Sequence, residues 1–219
     1  MLLLTQLLDQ SASRHNHLCP RQVLGMRMAL LAIRMLELDS KDGFKRLLTI
    51  SETDGCAADG LSIATECTVG NRRLRILDFG KVAATFVGLD CDYSIRISPA
   101  RNIRSAALEW APQSKNRWHA QLQAYQIMPD EELLVVQWVK LSISLEKLLS
   151  KPGYRVNCQM CGEEIINQRE VLQSEMILCQ ACAGQSYYQL CEINAAALQA
   201  TSSHRPRKSW RLRSQPIEN

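Results

Sequence analysis

The feature that most constrains this chain is a set of four cysteines in its last third. They form two pairs, Cys158-Gln-Met-Cys161 and Cys179-Gln-Ala-Cys182, with 17 residues between the pairs. Two residues between cysteines let both thiolates of a tight turn reach one tetrahedral ion, and the interval suits a hairpin that returns the second pair to the same point. Gly162 follows the first pair, where a knuckle turn needs a residue that tolerates positive φ. The pattern predicts a closed, structural zinc site, because four thiolates leave no open coordination position.

Disulfides and a redox-active Cys-x-x-Cys are the alternatives to zinc. Disulfides need an oxidising compartment, yet the N-terminal run Met-Leu-Leu-Leu-Thr-Gln-Leu-Leu lacks the basic residues and cleavage site of a signal peptide. No segment approaches the roughly 20 apolar residues of a membrane span. We therefore expect a cytoplasmic protein without a membrane partner, in which the nine cysteines are metal ligands or free thiols. Two Cys-x-x-Cys pairs at this interval are rare as redox sites.

The net charge of +4 is concentrated at the C-terminus. Residues 201–219 carry five basic groups against one acid, which accounts for the whole excess, so the rest of the chain is neutral. This stretch is polar and unpatterned, which predicts a basic, disordered tail. A neutral body has no general attraction for nucleic acid. Nucleic acid is therefore disfavoured as a partner except through the tail.

The spacing of apolar residues predicts an α+β fold in the first two thirds of the chain. A linker, Lys151-Pro-Gly-Tyr, separates a domain of residues 1–150 from a four-cysteine domain of residues 153–192. The predicted helices cover about residues 2–12, 20–38, 56–66 and 100–123, with short ones after Pro129 and after Cys182. The predicted strands cover residues 47–52, 74–79, 82–87, 93–98 and 136–145.

The helix predicted at residues 20–38 has apolar residues on more than one stripe, including Met26, Met28 and Met35. That is more apolar surface than a single small sheet usually buries. The helix therefore lies either near the interface of a homodimer or in the centre of the core, and the sequence does not choose between them.

A second group of candidate ligands lies in the first domain. His15-Asn-His17-Leu-Cys19-Pro20 precedes one predicted helix, and Glu52-Thr-Asp54-Gly-Cys56 leads into another. The partial positive charge at a helix start should lower the pKa of both thiols and favour thiolates. The two segments could converge on one ion with an open coordination position. Alternatively, the cysteines are small buried apolar residues and the histidines are solvated.

Several separated motifs occur in one order along the chain. They are His15-Asn-His17-Leu-Cys19-Pro20, Leu24-Gly25, Glu52-Thr-Asp54-Gly55-Cys56, Cys67-Thr68-Val-Gly70, Asp78-Phe-Gly80-Lys81, Cys158-Gln-Met-Cys161-Gly162 and Leu178-Cys179-Gln-Ala-Cys182. In this set and order the chain resembles the E-subunit family of formylmethanofuran dehydrogenase, over about residues 12–190.

The resemblance implies a thioredoxin-like mixed sheet flanked by helices, followed by a treble-clef zinc finger. It also implies a second divalent metal in a cleft of the first domain, held by His17, Cys19 and Cys56, with His15 and Cys67 in reserve. The functional expectation is a metal-binding accessory protein, associated with an oxidoreductase and with a protein partner in a redox complex. Whether it is an enzyme stays open, and no catalytic residue is assigned.

The sequence departs from the family pattern near the expected cleft. Asn16 and Arg21 stand where the family usually has glycine, and Arg21 adds a cation beside the cleft. We expect Arg21 and Lys81 to contact a small anionic cofactor there. The alternative function is a zinc-finger interaction protein, or a transcription-related nucleic-acid binder without catalytic activity.

Overall fold

The computed structural model describes residues 4–15, 17–38, 45–90 and 93–190. The chain divides into two compact units, Met1–Leu149 and Ser150–Asn219, and each is described by itself. The predicted basic tail, residues 201–219, lies outside the described residues.

The first unit alternates helices and strands. Its helices are α1 (Leu4–His15), α2 (Pro20–Met35), α3 (Cys56–Thr65), α4 (Ile103–Trp110), α5 (Arg117–Ile127), α6 (Asp130–Leu133) and α7 (Leu145–Leu149). Its strands are β1 (Leu47–Ser51), β2 (Leu74–Ile76), β3 (Ala84–Gly88), β4 (Ser94–Pro99) and β5 (Leu134–Val139).

The five strands form one mixed sheet in the order β2-β1-β3-β4-β5. The pair β1–β2 is parallel and the other pairs are antiparallel. Phe86, Ile95 and Ile97 are fully buried among the helices on one face. Leu48 and Val87 pack on the other face, against leucines that include those of α7. The predicted α+β class with a mixed sheet is confirmed, and its thioredoxin-like character stays a prediction.

Two glycines allow α2 and α3 to cross with their backbones in contact. A Cβ atom at Gly25 would lie 2.2 Å from the Ala57 carbonyl oxygen, and one at Gly60 would lie 2.2 Å from the Gln22 carbonyl oxygen. Any side chain would therefore force the helices apart. The crossing lies about one helical turn from the start of each helix, which brings both N-termini to the same place.

Arg27 fixes α2 to the end of α5. Its guanidinium donates to the carbonyl oxygens of Tyr125 at 2.8 Å and Met128 at 2.6 Å. It also pairs with Asp130 at 2.7 Å, and Arg34 donates to the second oxygen of that carboxylate. These bonds satisfy carbonyls at a helix end that have no partner within the helix.

The single helix predicted for residues 100–123 is wrong, because the chain forms two helices there, α4 and α5. Pro112 has no N–H to donate and disfavours the helical conformation of Ala111 before it. Ala111 accordingly has φ −138° and ψ 62°. Asn116 then starts α5, because its side-chain oxygen accepts a hydrogen bond from the His119 N–H at 3.0 Å.

The predicted strand at residues 136–145 is also displaced. The strand β5 begins at Leu134 and ends at Val139, and Leu145–Leu149 form the short helix α7. Leu145 and Leu149 pack against the second face of the sheet. Apolar residues that alternate as in a strand are thus divided between a strand and a helix that covers it.

The helix α2 is buried within a single chain. Met26 and Met28 have no exposed surface and Met35 is half-buried, which agrees with a position in the centre of the core. Homodimer formation stays a prediction. In the described part of the chain, no helix combines the length and apolar character needed to cross a membrane.

The second unit contains two short hairpins followed by one helical turn. Strands β6 (Arg155–Asn157) and β7 (Glu164–Ile166) pair antiparallel, as do β8 (Val171–Gln173) and β9 (Met176–Leu178). The helix predicted after Cys182 is limited to a π-helical turn, Ala181–Gln185. Gly184, at φ +88°, interrupts its helical geometry. The treble-clef topology stays a prediction.

Candidate functional site

A cleft of about 470 Å³ opens in the first unit, at the point where three helices begin. The first turn of α2 contributes Pro20 and Arg21, α3 contributes Cys56, and α4 contributes Arg104. Along the opposite wall lie three residues of α5: Trp118, Gln121 and Tyr125. All lining residues fall between positions 17 and 125, so the cleft belongs to the first unit alone.

The structure brings His17, Cys19, Cys56 and Arg21 to this cleft. Cys19 caps α2, and its N–H donates to the Gln22 side-chain oxygen at 2.7 Å. Cys19 and Cys56 both line the cleft, because the helix crossing places the two helix starts side by side. His17, Cys19 and Cys56 therefore line the same cleft. In the described part of the chain, however, only the four cysteines of the second unit form a cluster of three or more candidate metal ligands.

The expected lowering of the Cys19 pKa is wrong. Burial raises the pKa of this thiol, and the hydrogen bond and charge of Cys56 raise it further. The backbone N–H groups of Gln22 and Arg21 act in the opposite direction but are outweighed. A helix start favours a thiolate only where desolvation is small, and Cys19 is only 9% exposed.

Other residues predicted for the site lie elsewhere. Cys67 is fully buried, and its thiol donates to the Leu47 carbonyl oxygen at 3.4 Å, so it acts as a buried hydrogen-bonding group. Lys81 is exposed and is not among the residues that line the cleft, although its neighbour Val82 is. The side chain of His15 lies outside the described residues.

Sequence reasoning missed Arg101, Arg104 and Trp118. The two arginines flank the start of α4, directly after the end of β4. Cations at a helix start are unfavourable to the helix dipole. Basic residues at a predicted helix start can therefore indicate, from sequence alone, a functional role such as anion binding. Trp118 could not be predicted in this way, because the sequence pattern predicted one helix over residues 100–123 and did not show that a second helix, α5, begins at Arg117.

The four cysteines of the second unit converge on one point. Their sulfur atoms all lie within 4.8 Å of one another, and those of Cys161 and Cys179 are 3.9 Å apart. Zinc–sulfur bonds of about 2.3 Å in a tetrahedron place sulfurs about 3.8 Å apart, so the group fits a metal. All four cysteines are unbridged. The knuckle closes through a Gly162 N–H bond to the Cys158 carbonyl at 2.9 Å, with Gly162 at φ +75°.

Backbone donors and neighbouring sulfurs control the protonation of this cluster. The N–H of Cys161 donates to Cys158 and, with other backbone donors, lowers the pKa of the Cys158 thiol to about 6. The hydrogen bond to Cys179, together with burial, raises the pKa of Cys182 to about 12. Four adjacent thiolates repel one another, and a divalent cation removes that repulsion. The donor set is thus one that a soft cation completes.

The first domain of this chain matches a known protein family. A family model described as "FmdE, Molybdenum formylmethanofuran dehydrogenase operon" matches residues 14–135, more than half of the chain. The chain belongs to the FmdE family. The matched segment contains every residue that lines the cleft, and the resemblance seen in the sequence motifs is confirmed.

A solved structure shares the fold of this FmdE-family chain. It is a tungsten formylmethanofuran dehydrogenase FmdE-like protein from Syntrophus aciditrophicus, with a TM-score of 0.57 and 22% sequence identity. The match covers 85% of this chain and 95% of the other. At this identity the similarity shows the fold alone.

One curated relative matches part of the sequence. It is a probable S-adenosyl-L-methionine-binding protein from Archaeoglobus fulgidus, 40% identical over 88 residues. The match spans 38% of this chain and 24% of the relative. This FmdE-family chain therefore covers about a quarter of the relative's length.

Proposed function

We propose that this FmdE-family protein is a metal-binding accessory protein with two different sites. The four-cysteine group holds a structural zinc ion, and the cleft of the first unit is the working site, with a second divalent metal. The observation that carries the proposal is that the thiols of Cys19 and Cys56, at two adjacent helix starts, line one cleft together with His17. No reaction is assigned to the protein.

Zinc is favoured at the four-cysteine group by its all-sulfur donor set and its sulfur spacing. Four thiolates complete a tetrahedron, so this metal would have no place for substrate. Its role would be to hold two short hairpins and one helical turn together.

At the cleft, Cys19 and Cys56 would supply two thiolates and His17 the third ligand. Three protein ligands leave a position open for water or another small molecule, which distinguishes a working metal site from a structural one. Because Cys19 is protonated more readily than an ordinary thiol, metal must displace its proton. We therefore expect weaker binding here than at the four cysteines.

The name of the archaeal relative suggests a different ligand, S-adenosyl-L-methionine. That molecule carries a sulfonium cation and an ammonium group against one carboxylate. The cleft of this chain is lined by three arginines and by no aspartate or glutamate, so it opposes a cationic ligand. The charge of the cleft therefore does not favour that ligand in this chain.

Within the described residues, the second candidate function, an interaction or nucleic-acid-binding protein, rests on the four-cysteine domain, called the finger below. A nucleic-acid-binding face needs clustered basic residues. The finger instead exposes Glu163, Glu164 and Glu175, while Arg155 is paired with Glu164 at 2.7 Å. This charge pattern favours the first proposal.

Cobalt titration of the metal-free full chain tests the cleft site. Cobalt bound to thiolates absorbs visible light, so we expect a tight phase from the four cysteines and a weaker one from the cleft. Cys19→Ala should remove the weaker phase. Cys67→Ala is the matched control, because Cys67 is a buried thiol outside the cleft, and it should retain both phases. If Cys19→Ala and Cys67→Ala titrate alike, the metal proposal for the cleft is wrong.

A further inference from the structure

The charge of the cleft goes beyond what metal binding requires. Arg21, Arg101 and Arg104 all line it, and no carboxylate does. Within the described residues none of these three guanidinium groups forms an ion pair, whereas Arg27 and Arg96 each pair with an acid. Three unpaired cations around one cavity repel one another. All three are exposed, so water screens their repulsion and their charges remain available to an anion that enters the cleft.

The backbone adds to the positive electrostatic potential of the cleft. The first turns of α2, α3 and α4 contribute lining residues, and helix starts carry partial positive charge. The first turns of α2 and α4 contain no acidic residue that would neutralise it. The first turn of α3 contains Asp59, so the uncompensated helix starts are those of α2 and α4. Three arginines with these two helix starts favour a dianion over a single carboxylate.

The shape of the cleft indicates that the anion is attached to something larger. Its volume of about 470 Å³ lies within the usual range for organic ligands, and an inorganic phosphate would leave most of it unfilled. Trp118, 44% exposed, lines the wall supplied by α5. An exposed indole beside arginines is a surface on which a planar ring stacks.

We infer that the cleft binds a phosphate monoester of a planar ring compound, up to the size of a mononucleotide. The phosphate lies among Arg21, Arg101 and Arg104, and the ring lies against Trp118. This inference rests on the proposed assignment of the cleft as the working site of the protein. It does not depend on a metal being bound there.

Calorimetric titration of the full chain with adenosine monophosphate tests this site. Arg101→Gln and Arg104→Gln should each weaken binding about ten- to a hundredfold, because each removes a charge-assisted hydrogen bond. Arg117→Gln is the matched control, since Arg117 is an exposed arginine of α5 outside the cleft lining. Circular dichroism establishes that each variant is folded before it is titrated.

Two further ligands separate the parts of the proposal. Adenosine, which lacks the phosphate, should bind at least tenfold more weakly than the monophosphate, and so should inorganic phosphate, which lacks the ring. Equal binding of adenosine and the monophosphate would overturn the anion site. Equal binding of inorganic phosphate would overturn the ring site. No binding of the monophosphate by the folded wild type, or equal affinity in Arg101→Gln and Arg117→Gln, would overturn the inference as a whole.

Zinc content is measured on the same samples, which separates this inference from the metal proposal. If the wild type binds the monophosphate but holds no metal at the cleft, the phosphate-site inference stands and the proposed metal site is wrong. If the wild type holds metal at the cleft but has no affinity for the monophosphate, the metal site stands and the phosphate-site inference is wrong.

Discussion

At the scale of single residues, Tyr125 combines burial with a place in the cleft wall. Burial raises the pKa of its phenol to about 12, although the charge of Arg104 lowers it in part. Because the folded pKa exceeds the unfolded value of about 10, Tyr125 contributes stability that is complete below pH 10. That contribution is lost as the pH rises toward 12.

We predict that Tyr125→Phe flattens this alkaline loss. The wild type should lose roughly 2–3 kcal/mol more unfolding free energy than the variant over this interval. Tyrosinate absorbance should show one late-titrating phenol fewer in the variant. Identical alkaline titrations of the two proteins would contradict the prediction.

Glu52 and Arg96 form a largely buried ion pair. The guanidinium donates to both carboxylate oxygens, at 2.6 and 2.8 Å, and the glutamate side chain is only 9% exposed. We predict that Glu52→Ala lowers the unfolding free energy by about 3 kcal/mol, because Arg96 is left largely desolvated without a counter-charge and keeps only its hydrogen bond to Gln137.

The exposed pair Arg46–Asp90 provides the control for this prediction. Both side chains are more than half exposed, so Asp90→Ala should cost less than about 1 kcal/mol. Urea unfolding measures both values. Equal losses in the two variants would show that burial of the Glu52 pair contributes nothing.

Residue identities were predictable where spacing alone determines the chemistry. The four cysteines needed only their two intervals, and His17, Cys19 and Cys56 follow from motifs that precede helices. Lys81 and Cys67 were misplaced, because the sequence does not show which side of a strand or helix faces a cleft. For the same reason, the sequence analysis did not place Arg101 and Arg104 at the cleft.

At the scale of elements, the crossing of α2 and α3 creates the cleft by placing two helix starts together. We predict that Gly25→Ala and Gly60→Ala each destabilise the protein by about 2–3 kcal/mol or more, because each new Cβ would lie 2.2 Å from a backbone oxygen. Backbone atoms cannot move aside as a flexible side chain can. Urea unfolding at neutral pH measures the change.

Gly70→Ala is the control for the two glycine variants. A Cβ there meets nothing closer than the Thr68 side-chain oxygen at 3.9 Å, and the residue is exposed. We expect a change within about 0.5 kcal/mol. Gly25→Ala as stable as Gly70→Ala would mean that the helices are not in backbone contact.

Element types followed well from apolar spacing, but element boundaries did not. Both α2 and α3 begin where their Cys-Pro and Gly-Cys signals predicted, at Pro20 and Cys56. The boundary between α4 and α5 depends on Pro112, a single residue within a weak helical pattern. Strand β5 ended early because the following leucines cover the sheet as a helix.

At the scale of the whole molecule, the described part of the second unit, residues 150–190, has almost no core of its own. Its buried apolar cluster consists of Cys158, Ile165 and Leu178, one of which is a metal ligand in our proposal. Such a module depends on its metal for folding. We predict that Cys161→Ser releases zinc and exposes residues 153–190 to protease, while the first unit stays resistant.

Limited proteolysis of the full chain with mass spectrometry of the fragments tests this dependence. The cleavage sites should lie in the second unit in Cys161→Ser and be protected in the wild type. A protease-resistant second unit without zinc would contradict the structural role of the metal.

The number of divalent metal ions bound per full chain at saturating zinc tests the two-site proposal most directly. The wild type should hold two ions, and Cys161→Ser and Cys19→Ala should each hold one, because the sites share no ligand. The ion that Cys19→Ala retains should be the tighter one. A wild type with a single ion that is lost in Cys161→Ser and kept in Cys19→Ala would contradict a metal site in the cleft.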